Sequence, residues 1–395
     1  MAKGKRVNGE GSIVKNIRNG VQIGWRASIT VGYDKNGAPI RKQFTAKTQR
    51  EVKEALKDYK RKMVMGITNE EKITVAEWFY TWLFDYRKND LKPKSFNRYH
   101  GIYKNYIKDT SLGKIKLCDL RTTHLQRHYK ILLENGVTPT TIKQINTNLK
   151  TCLGEAERQG YIQKNWCKLV TLPKIEKKPE VTPLSSEEQI RFLEAIKGHE
   201  FEMLFNLALG SGLRLGEILG LQWSDINFSS GEISIHRSLQ RIPIYEGDKI
   251  IRYEVVELTP KTENSTRTIP IPKSLLDKLK IHKKQQNELI LRMGEDYNNR
   301  NYVFCNAVGD PIEDKRPGRH LKKILTDLGI KPIKFHALRH TYATRLFEAG
   351  VPPKTVQNLM GHADIETTMN IYTHVMGEQK TDAVDKLDVF FSSQA

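Results

Sequence analysis

His336-Ala337-Leu338-Arg339-His340, near the end of the chain, places two histidines and an arginine within five residues, and Gly361-His362 and Tyr372 follow it. A second arginine stands far upstream, in Gly212-Leu213-Arg214-Leu215-Gly216-Glu217. Guanidinium groups can neutralise a phosphodiester, imidazoles can move protons, and a phenol can attack phosphorus. These residue types together therefore favour chemistry on a phosphodiester.

The charge of the chain is strongly positive. Its 395 residues include 65 Lys and Arg against 45 Asp and Glu, a formal net charge of +20. Such an excess indicates partners rather than a fold, and nucleic acid and anionic membrane are the two candidates. No basic segment has the long apolar face of an interfacial helix, so we expect nucleic acid and no membrane partner. A basic protein without such a partner is the alternative that charge alone leaves open.

Composition also indicates the compartment. The sequence has no run of about 18 apolar residues that would predict a transmembrane helix, and Met1–Arg6 lacks the apolar core of a signal peptide. The four cysteines, Cys118, Cys152, Cys167 and Cys305, are scattered without the spacing of a metal or redox site. We therefore expect a cytoplasmic protein with reduced thiols and no bound metal.

Residues 1–66 predict a small basic domain, because they hold 16 Lys and Arg against 5 Asp and Glu. Its predicted elements are strands over 11–14, 25–31 and 40–44, turns at Asn19-Gly20 and Asp34-Lys35-Asn36-Gly37, and a helix from about Thr48 to Met65. A three-stranded sheet with one helix can lie in a major groove. We expect DNA contacts from six basic residues: Lys3, Lys5, Arg6, Arg26, Arg41 and Lys42.

An all-helical domain is predicted over residues 67–172, followed by a charged linker over 173–184. Thr74 is expected to cap the first helix. Trp78 and Trp82 are four residues apart, which fits a core stripe better than a base-stacking platform. Further helices are predicted near 93–107, 122–135 and 139–159.

Residues 185–395 predict a mixed, mainly helical domain with a small antiparallel sheet. Ser185 begins a helix with a capping-box pattern. Strands are predicted over 232–235, over a longer region 239–259 that turns at Glu246-Gly247-Asp248, and over 266–271, which continues the sheet. The segment from Leu275 onward has mostly helical patterns. The fold class is therefore multidomain α+β.

Three motifs in this last domain resemble those of tyrosine recombinases, also called phage integrases. The first runs from Leu207 to Leu221 around Arg214, and the second is His336-Ala337-Leu338-Arg339-His340-Thr341-Tyr342-Ala343-Thr344. The third comprises Leu359-Met360-Gly361-His362, then Thr367-Thr368, then Tyr372-Thr373-His374-Val375. All three occur in the family's order. The basic N-terminal domain is similar to the arm-binding domain of integrases from conjugative transposons.

The resemblance implies a bacterial site-specific recombinase that integrates and excises a mobile genetic element. It implies type IB strand cleavage and rejoining, through a 3′-phosphotyrosine intermediate and a Holliday junction. The partners it implies are double-stranded DNA with core and arm attachment sites, three further copies in a homotetramer, and an accessory excision protein. Residues 1–66 would bind arm sites, 67–172 core DNA, and 185–395 would carry catalysis and a C-terminal tail.

No cofactor is expected, because exchange of a DNA phosphodiester for a phosphotyrosine conserves the bond. The sequence has no Walker pattern and no dense carboxylate cluster of the two-metal nuclease kind. Two alternatives have discriminating features. A type IB topoisomerase would use similar residues, but the integrase-like N-terminal domain argues against it. A noncatalytic DNA-binding regulator would keep the fold, but the complete residue set argues against that.

The resemblance assigns roles to the strongest candidates. Arg214 and Arg339 would neutralise the scissile phosphate, since a rigid, permanently charged fork matches its geometry. Tyr372 would be the nucleophile. Tyr342 is its rival, but the apolar run around it favours a core position. Glu217, one helical turn after Arg214, would orient the site.

The remaining candidates concern protons. His336 and His362 would assist proton transfer and contact the phosphate. His340 shares a helical face with His336, which also fits a metal pair, but the intervening arginine disfavours a cation; we interpret His340 as a capping or packing residue. Lys261, between strand-like segments, would protonate the leaving 5′ oxygen, as a hairpin lysine does in this family.

The C-terminal tail contains an apolar run: Ala383, Val384, Leu387, Val389, Phe390 and Phe391. Packing on its own domain and docking on a neighbouring protomer, the behaviour that the family implies, are the two interpretations that the sequence leaves open.

Overall fold

A computed structural model describes residues 11–33, 37–64, 73–175, 181–258 and 266–375. The chain divides into two compact units, Met1–Lys177 and Lys178–Ala395. In the described part of the chain, no helix has the length and apolar character needed to cross a bilayer. The same residues contain no cluster of three or more His, Cys, Asp or Glu side chains arranged to hold a metal ion.

The first unit begins with the predicted sheet and helix. Strands β1 (Ser12–Arg18), β2 (Val21–Tyr33) and β3 (Pro39–Ala46) form an antiparallel sheet in that order, and helix α1 is Gln49–Val64. Asn19 and Gly20 both have positive φ, as a tight hairpin turn with the twist of the strands requires. One face of the sheet packs on α1 through a small core of Ala27, Ile29, Val52 and Leu56. This sheet confirms the prediction; most of the second predicted turn lies outside the described residues.

Among the described residues of the first unit, four α-helices follow: α2 (Val75–Thr81), continued by a π-helical turn over Trp82–Arg87, α3 (Pro93–Tyr106), α4 (Thr122–Glu134) and α5 (Pro139–Arg158). Thr74 and Glu77 form the capping box that starts α2. Trp78 and Trp82 are each 1% exposed, and the Trp78 indole donates to the carbonyl of Cys152 at 3.1 Å. Both tryptophans are core residues, which confirms the interpretation of their spacing.

The second unit is mostly helical, with two small sheets. Its helices are α6 (Ser186–Ala195), α7 (Glu202–Ser211), α8 (Leu215–Leu219), α9 (Lys273–Met293), α10 (Arg316–Asp327), α11 (His336–Glu348), α12 (Pro353–Met360) and α13 (Ile365–Val375). Its strands are β4 (Ile226–Asn227), β5 (Glu232–Ile235), β6 (Ser238–Glu246), β7 (Lys249–Leu258) and β8 (Arg267–Pro270).

The strand predicted over 266–271 is confirmed as β8, but the prediction that all these strands form one sheet is wrong. Strand β8 pairs with β5, in a sheet of order β4-β5-β8, whereas β6 and β7 form a separate hairpin. The physical reason is burial, because Ile233 on β5 and Ile269 on β8 lie opposite each other and are 0% and 1% exposed. Pairing with β5 takes β8 into the main core and brings Arg267, its first residue, towards the ends of α8 and α12.

Candidate active site

The first arginine stands in a tight turn between α7 and α8. Gly212 ends α7 with a φ of 63°, and a Cβ there would collide with the Tyr342 ring on α11. Only glycine therefore allows both the left-handed turn and this close approach. Arg214 then caps α8 with Glu217, which accepts from the Arg214 backbone at 3.0 Å and from its guanidinium at 2.7 Å.

The second arginine, Arg339, lies on α11 and is 1% exposed. Its guanidinium donates to the carbonyl of Gly212 at 2.6 Å and to the carbonyl of Met360, while its Nε has no hydrogen-bond partner in the described part of the chain. Burial, followed by the charge of Arg214, lowers the pKa of Arg339 to about 9. It therefore stays positively charged at neutral pH, with one buried donor still available.

The end of α12 brings three arginines together. The last carbonyls of a helix lack intrahelical partners and carry the negative end of the helix dipole. Three successive carbonyls here accept from three guanidiniums: Leu359 from Arg267 at 3.2 Å, Met360 from Arg339, and Gly361 from Arg214 at 3.1 Å. We call the backbone carbonyls of these three residues the carbonyl trio.

Glu217 is the acidic group of the cluster and is 8% exposed. Its two oxygens accept from Arg214 and from Arg267, the latter at 3.0 and 3.3 Å. Burial opposes ionisation, but the hydrogen bond and charge of Arg267 and the charge of Arg214 lower the pKa of Glu217. The single negative charge of Glu217 balances only one of the positive charges of Arg214 and Arg267. The two carbonyls that accept from Arg339 are neutral, so they do not balance its charge. The surplus positive charge favours binding of an anion such as phosphate.

Two predicted histidines lie in the field of the same arginines. His336 begins α11, and burial with the charges of Arg339 and Arg214 lowers its pKa. Burial and the same two charges lower the pKa of His362 to about 3. Both imidazoles are neutral at pH 7 in the free protein. The His362 Nδ1 contacts the Thr368 hydroxyl at 2.9 Å, which orients the ring.

His340 packs its ring against that of His336, with centroids 5.1 Å apart. Burial and the neighbouring His336 lower the pKa of His340 to about 4. These contacts fit the packing role that the sequence suggested for it.

Tyr372 lies on α13 and is partly buried. Its ring stands edge-on to Phe347 at 5.1 Å, in an apolar cluster that includes Ala343, Val356 and Met360. Within the described residues its hydroxyl makes no hydrogen bond, so the structure packs Tyr372 on this cluster and joins it to neither arginine. Tyr342 is also partly buried, and burial raises the pKa of its hydroxyl.

The structure brings together five of the predicted site residues: Arg214, Glu217, His336, Arg339 and His362. Arg267 joins the same cluster, although none of the three motifs includes it. Its only sequence signal is a basic residue at the start of a short predicted strand. Lys261 lies outside the described residues, as do Lys3, Lys5 and Arg6.

The N-terminal sheet separates the remaining predicted DNA contacts. Arg26, opposite Thr45, and Arg41, opposite Thr30, are exposed on the face away from α1. Lys42 lies on the other face, where its ammonium sits 4.8 Å from the centre of the Tyr59 ring on α1. The structure therefore separates Lys42 from the two arginines with which it was grouped.

Known proteins resemble both parts of the chain. Residues 184–379 match the phage integrase family, and residues 74–133 match its N-terminal SAM-like domain. A tyrosine recombinase XerC-like protein of Caldanaerobacter subterraneus subsp. tengcongensis is 40% identical over 386 residues, covering 95% of this chain and 98% of its own. The ICEBs1 integrase of Bacillus subtilis is 26% identical over 381 residues, covering 95% and 99%.

Solved structures have a similar fold. The Tn1549 transposon integrase in complex with a circular intermediate DNA superposes with a TM-score of 0.66 at 22% identity, covering 80% of this chain and 99% of that one. A lambda integrase dimer bound to a core site superposes with a TM-score of 0.58 at 17% identity, covering 91% and 94%.

The lowered histidine pKa values predict an acid-sensitive free protein. An unfolded chain takes up these protons near pH 6.5, whereas His340 and His362 in the folded chain do so only near pH 4 and pH 3. The unfolded state therefore binds more protons below pH 6.5, so stability should fall as pH is lowered from about 6.5 to 4. Melting temperatures between pH 7.5 and 5 should fall less steeply for His340→Gln than for the wild type. Parallel slopes would contradict this assignment.

Proposed function

The chain belongs to the phage integrase family of tyrosine recombinases, and on that basis we propose how its residues carry out recombination. The activity of the family, and of this chain, is site-specific recombination of DNA. The relatives are integrases and recombinases, so neither a topoisomerase nor a noncatalytic regulator is favoured. The observation that carries the proposal is the convergence of Arg214 and Arg339 on the end of α12, beside His362.

The scissile phosphate would bind where these two guanidiniums meet. The Arg214 side chain is 39% exposed, so its guanidinium can bind a non-bridging oxygen of a phosphate that approaches from solvent. Arg339 lies beneath it with its Nε unpartnered among the described residues. Negative charge grows on the non-bridging oxygens as phosphorus is attacked, and fixed donors stabilise it without reorganising. Loss of one such donor typically costs about 10²–10³ in rate.

Tyr372 would be the nucleophile. Its oxygen forms a bond to phosphorus and gives up its proton, the bond from phosphorus to the 5′ oxygen breaks, and that oxygen leaves as a hydroxyl. The product is a 3′-phosphotyrosine. A partner strand's 5′ hydroxyl then attacks phosphorus and loses its proton, the bond from phosphorus to the Tyr372 oxygen breaks, and that oxygen regains a proton, which rejoins the DNA through a Holliday junction. His336 and His362, neutral in the free protein, would accept and return protons at the phosphate. Lys261 would protonate the leaving oxygen.

Tyr372 would leave its contact with Phe347 as its hydroxyl moves towards phosphorus. The ring loses apolar packing when it moves, so cleavage would require a rearrangement of α13 that DNA or a neighbouring protomer favours. Such coupling prevents nicking by an isolated protomer.

Each predicted domain would have its own DNA target. Residues 1–66 would bind arm sites, residues 67–172 would bind core DNA, 173–184 would link them to residues 185–395, and the last would carry the chemistry. The solved neighbours were bound to a circular intermediate DNA and to a core site, which supports DNA as the partner. The open face of the N-terminal sheet, with exposed Arg26 and Arg41, fits a major groove.

Assembly would be a homotetramer on paired core sites, in the bacterial cytoplasm, with an accessory excision protein that sets direction. The proposal for the C-terminal tail rests on its sequence, since the tail lies outside the described residues. Its apolar run, which ends in Phe390-Phe391, would dock on a neighbouring protomer.

Tyr372→Phe should abolish covalent protein–DNA adducts and leave DNA affinity nearly unchanged, because only the attacking oxygen is removed. The measurement is adduct formation on a suicide core duplex in EDTA, beside a direct binding titration. Tyr342→Phe is the matched control and should still form adducts. Adducts formed by Tyr372→Phe would show that another residue attacks.

The double variant Arg26→Ala/Arg41→Ala should bind arm-site DNA more weakly and still cleave a core duplex. For each phosphate that the variant no longer neutralises, the slope of log K against log salt for arm binding should become shallower by about 0.9. Lys42→Ala is the control that removes one charge from the other face, and it should change the slope less. A change in slope for Lys42→Ala as large as the change for the double variant would contradict the assignment of the open face.

Truncation after Asp385 should leave core DNA binding intact and remove cooperative synapsis and recombination, because the docking segment is absent. Gel-shift assays of paired core sites and a recombination assay measure the two effects. If the tail packs on its own domain, the truncated protein should instead melt at a lower temperature. Normal synapsis and recombination by the folded truncation would rule out trans docking.

A further inference from the structure

Arg267 contacts two elements that carry the other site residues. From the start of β8, its Nη2 and Nη1 donate to Glu217 at 3.0 and 3.3 Å, and its Nε donates to the carbonyl of Leu359 at 3.2 Å. Glu217 holds Arg214, and the Leu359 carbonyl is the first of the carbonyl trio. Arg214 also bonds both to Glu217 and to the trio, but it caps α8, the helix that contains Glu217. Among the described residues, Arg267 is the side chain that makes both contacts from an element other than α8 and α12.

Burial distinguishes Arg267 from the arginine proposed to meet the phosphate. The Arg267 side chain is 8% exposed, against 39% for Arg214. All three of its guanidinium nitrogens already donate to protein groups, whereas Arg339 keeps a buried Nε without a partner in the described part of the chain. The fork of Arg267 is therefore directed at the protein through all three of its nitrogens.

Gly361 makes this placement possible. It takes a φ of 62°, and a Cβ there would lie 2.9 Å from Cδ and 3.1 Å from Cζ of Arg267. The Arg267 side chain therefore occupies the space that a Cβ would need on the backbone that turns from α12 towards His362. Its position and the path of that turn depend on each other.

We propose that Arg267 is a positioning residue, which holds Glu217 and the end of α12 at a fixed separation so that Arg214 and Arg339 meet at one phosphate. This inference rests on the proposed function. A rigid fork suits the task, because it bonds a carboxylate through two nitrogens and a carbonyl through the third. Lysine offers a single point charge and cannot make all three contacts.

The test uses full-length protein and a core-site suicide duplex. Arg267→Met should lower the single-turnover cleavage rate at saturating DNA by about 10²-fold, the usual effect of a misplacement near 1 Å. DNA affinity should stay within about threefold, because Arg267 itself does not touch the phosphate. Arg267→Lys should not restore the rate. Arg252→Met is the matched control, since Arg252 is exposed on β7 and pairs with Glu254.

The conservative variant separates positioning from simple charge balance. Arg267→Lys keeps a positive charge beside Glu217, so its melting temperature should stay closer to that of the wild type than the melting temperature of Arg267→Met does. The positioning role predicts that cleavage by Arg267→Lys stays low although that charge is kept. Recovery of the wild-type cleavage rate in Arg267→Lys would overturn the proposal, and so would a decrease in DNA affinity as large as the decrease in rate.

The same assay distinguishes a failure of this inference from a failure of the proposed function. Wild-type adducts that disappear in Tyr372→Phe test the function itself. If those results hold and Arg267→Met cleaves at the wild-type rate, the positioning role alone is wrong.

Discussion

Three guanidinium groups meet at the C-terminal end of one short helix, and the geometry of the site depends on that meeting. The carbonyl trio supplies acceptors that α12 cannot satisfy itself, at the negative end of its dipole. Burying like charges together is costly unless each is hydrogen-bonded, and here the trio, Glu217 and the Gly212 carbonyl provide the bonds. Two glycines, Gly212 and Gly361, allow the close approaches on which these bonds depend.

The positive charges of the three arginines create a field that acts on the other groups of the site. Desolvation, followed by this field, lowers the pKa values of His336 and His362, so both imidazoles are neutral in the free protein. A bound phosphodiester would reverse part of that effect and make proton uptake easier. Tyr372, by contrast, rests on an apolar cluster beside Phe347. On the proposed function, the phosphate site would therefore be largely formed before DNA binds, whereas Tyr372 would still have to move.

Sequence patterns predicted much of this arrangement, and their failures have physical causes. The motifs identified Arg214, Arg339, His336 and His362, and local signals such as the Thr74 and Ser185 caps located helix starts. Arg267 was missed because Glu217 lies 50 residues earlier in the chain and no local pattern reports such a partner. The pairing of β8 with β5 depends on burial of Ile233 and Ile269, which short apolar segments do not specify. The face of the sheet on which Lys42 lies could have been predicted from the two-residue period of a strand, because Phe44 lies on the same face.

We propose that Arg214 and Arg339 form one phosphate site, supported from behind by Arg267, Glu217 and the carbonyl trio. The most direct measurement is an experimental structure of the full-length Tyr372→Phe variant on a core-site duplex. We predict a scissile phosphate within hydrogen-bond distance of the Arg214 and Arg339 guanidiniums and of His362 Nε2, with Arg267 still bonded to Glu217 and to the Leu359 carbonyl. A phosphate bound to Arg267, or one that touches neither Arg214 nor Arg339, would contradict it.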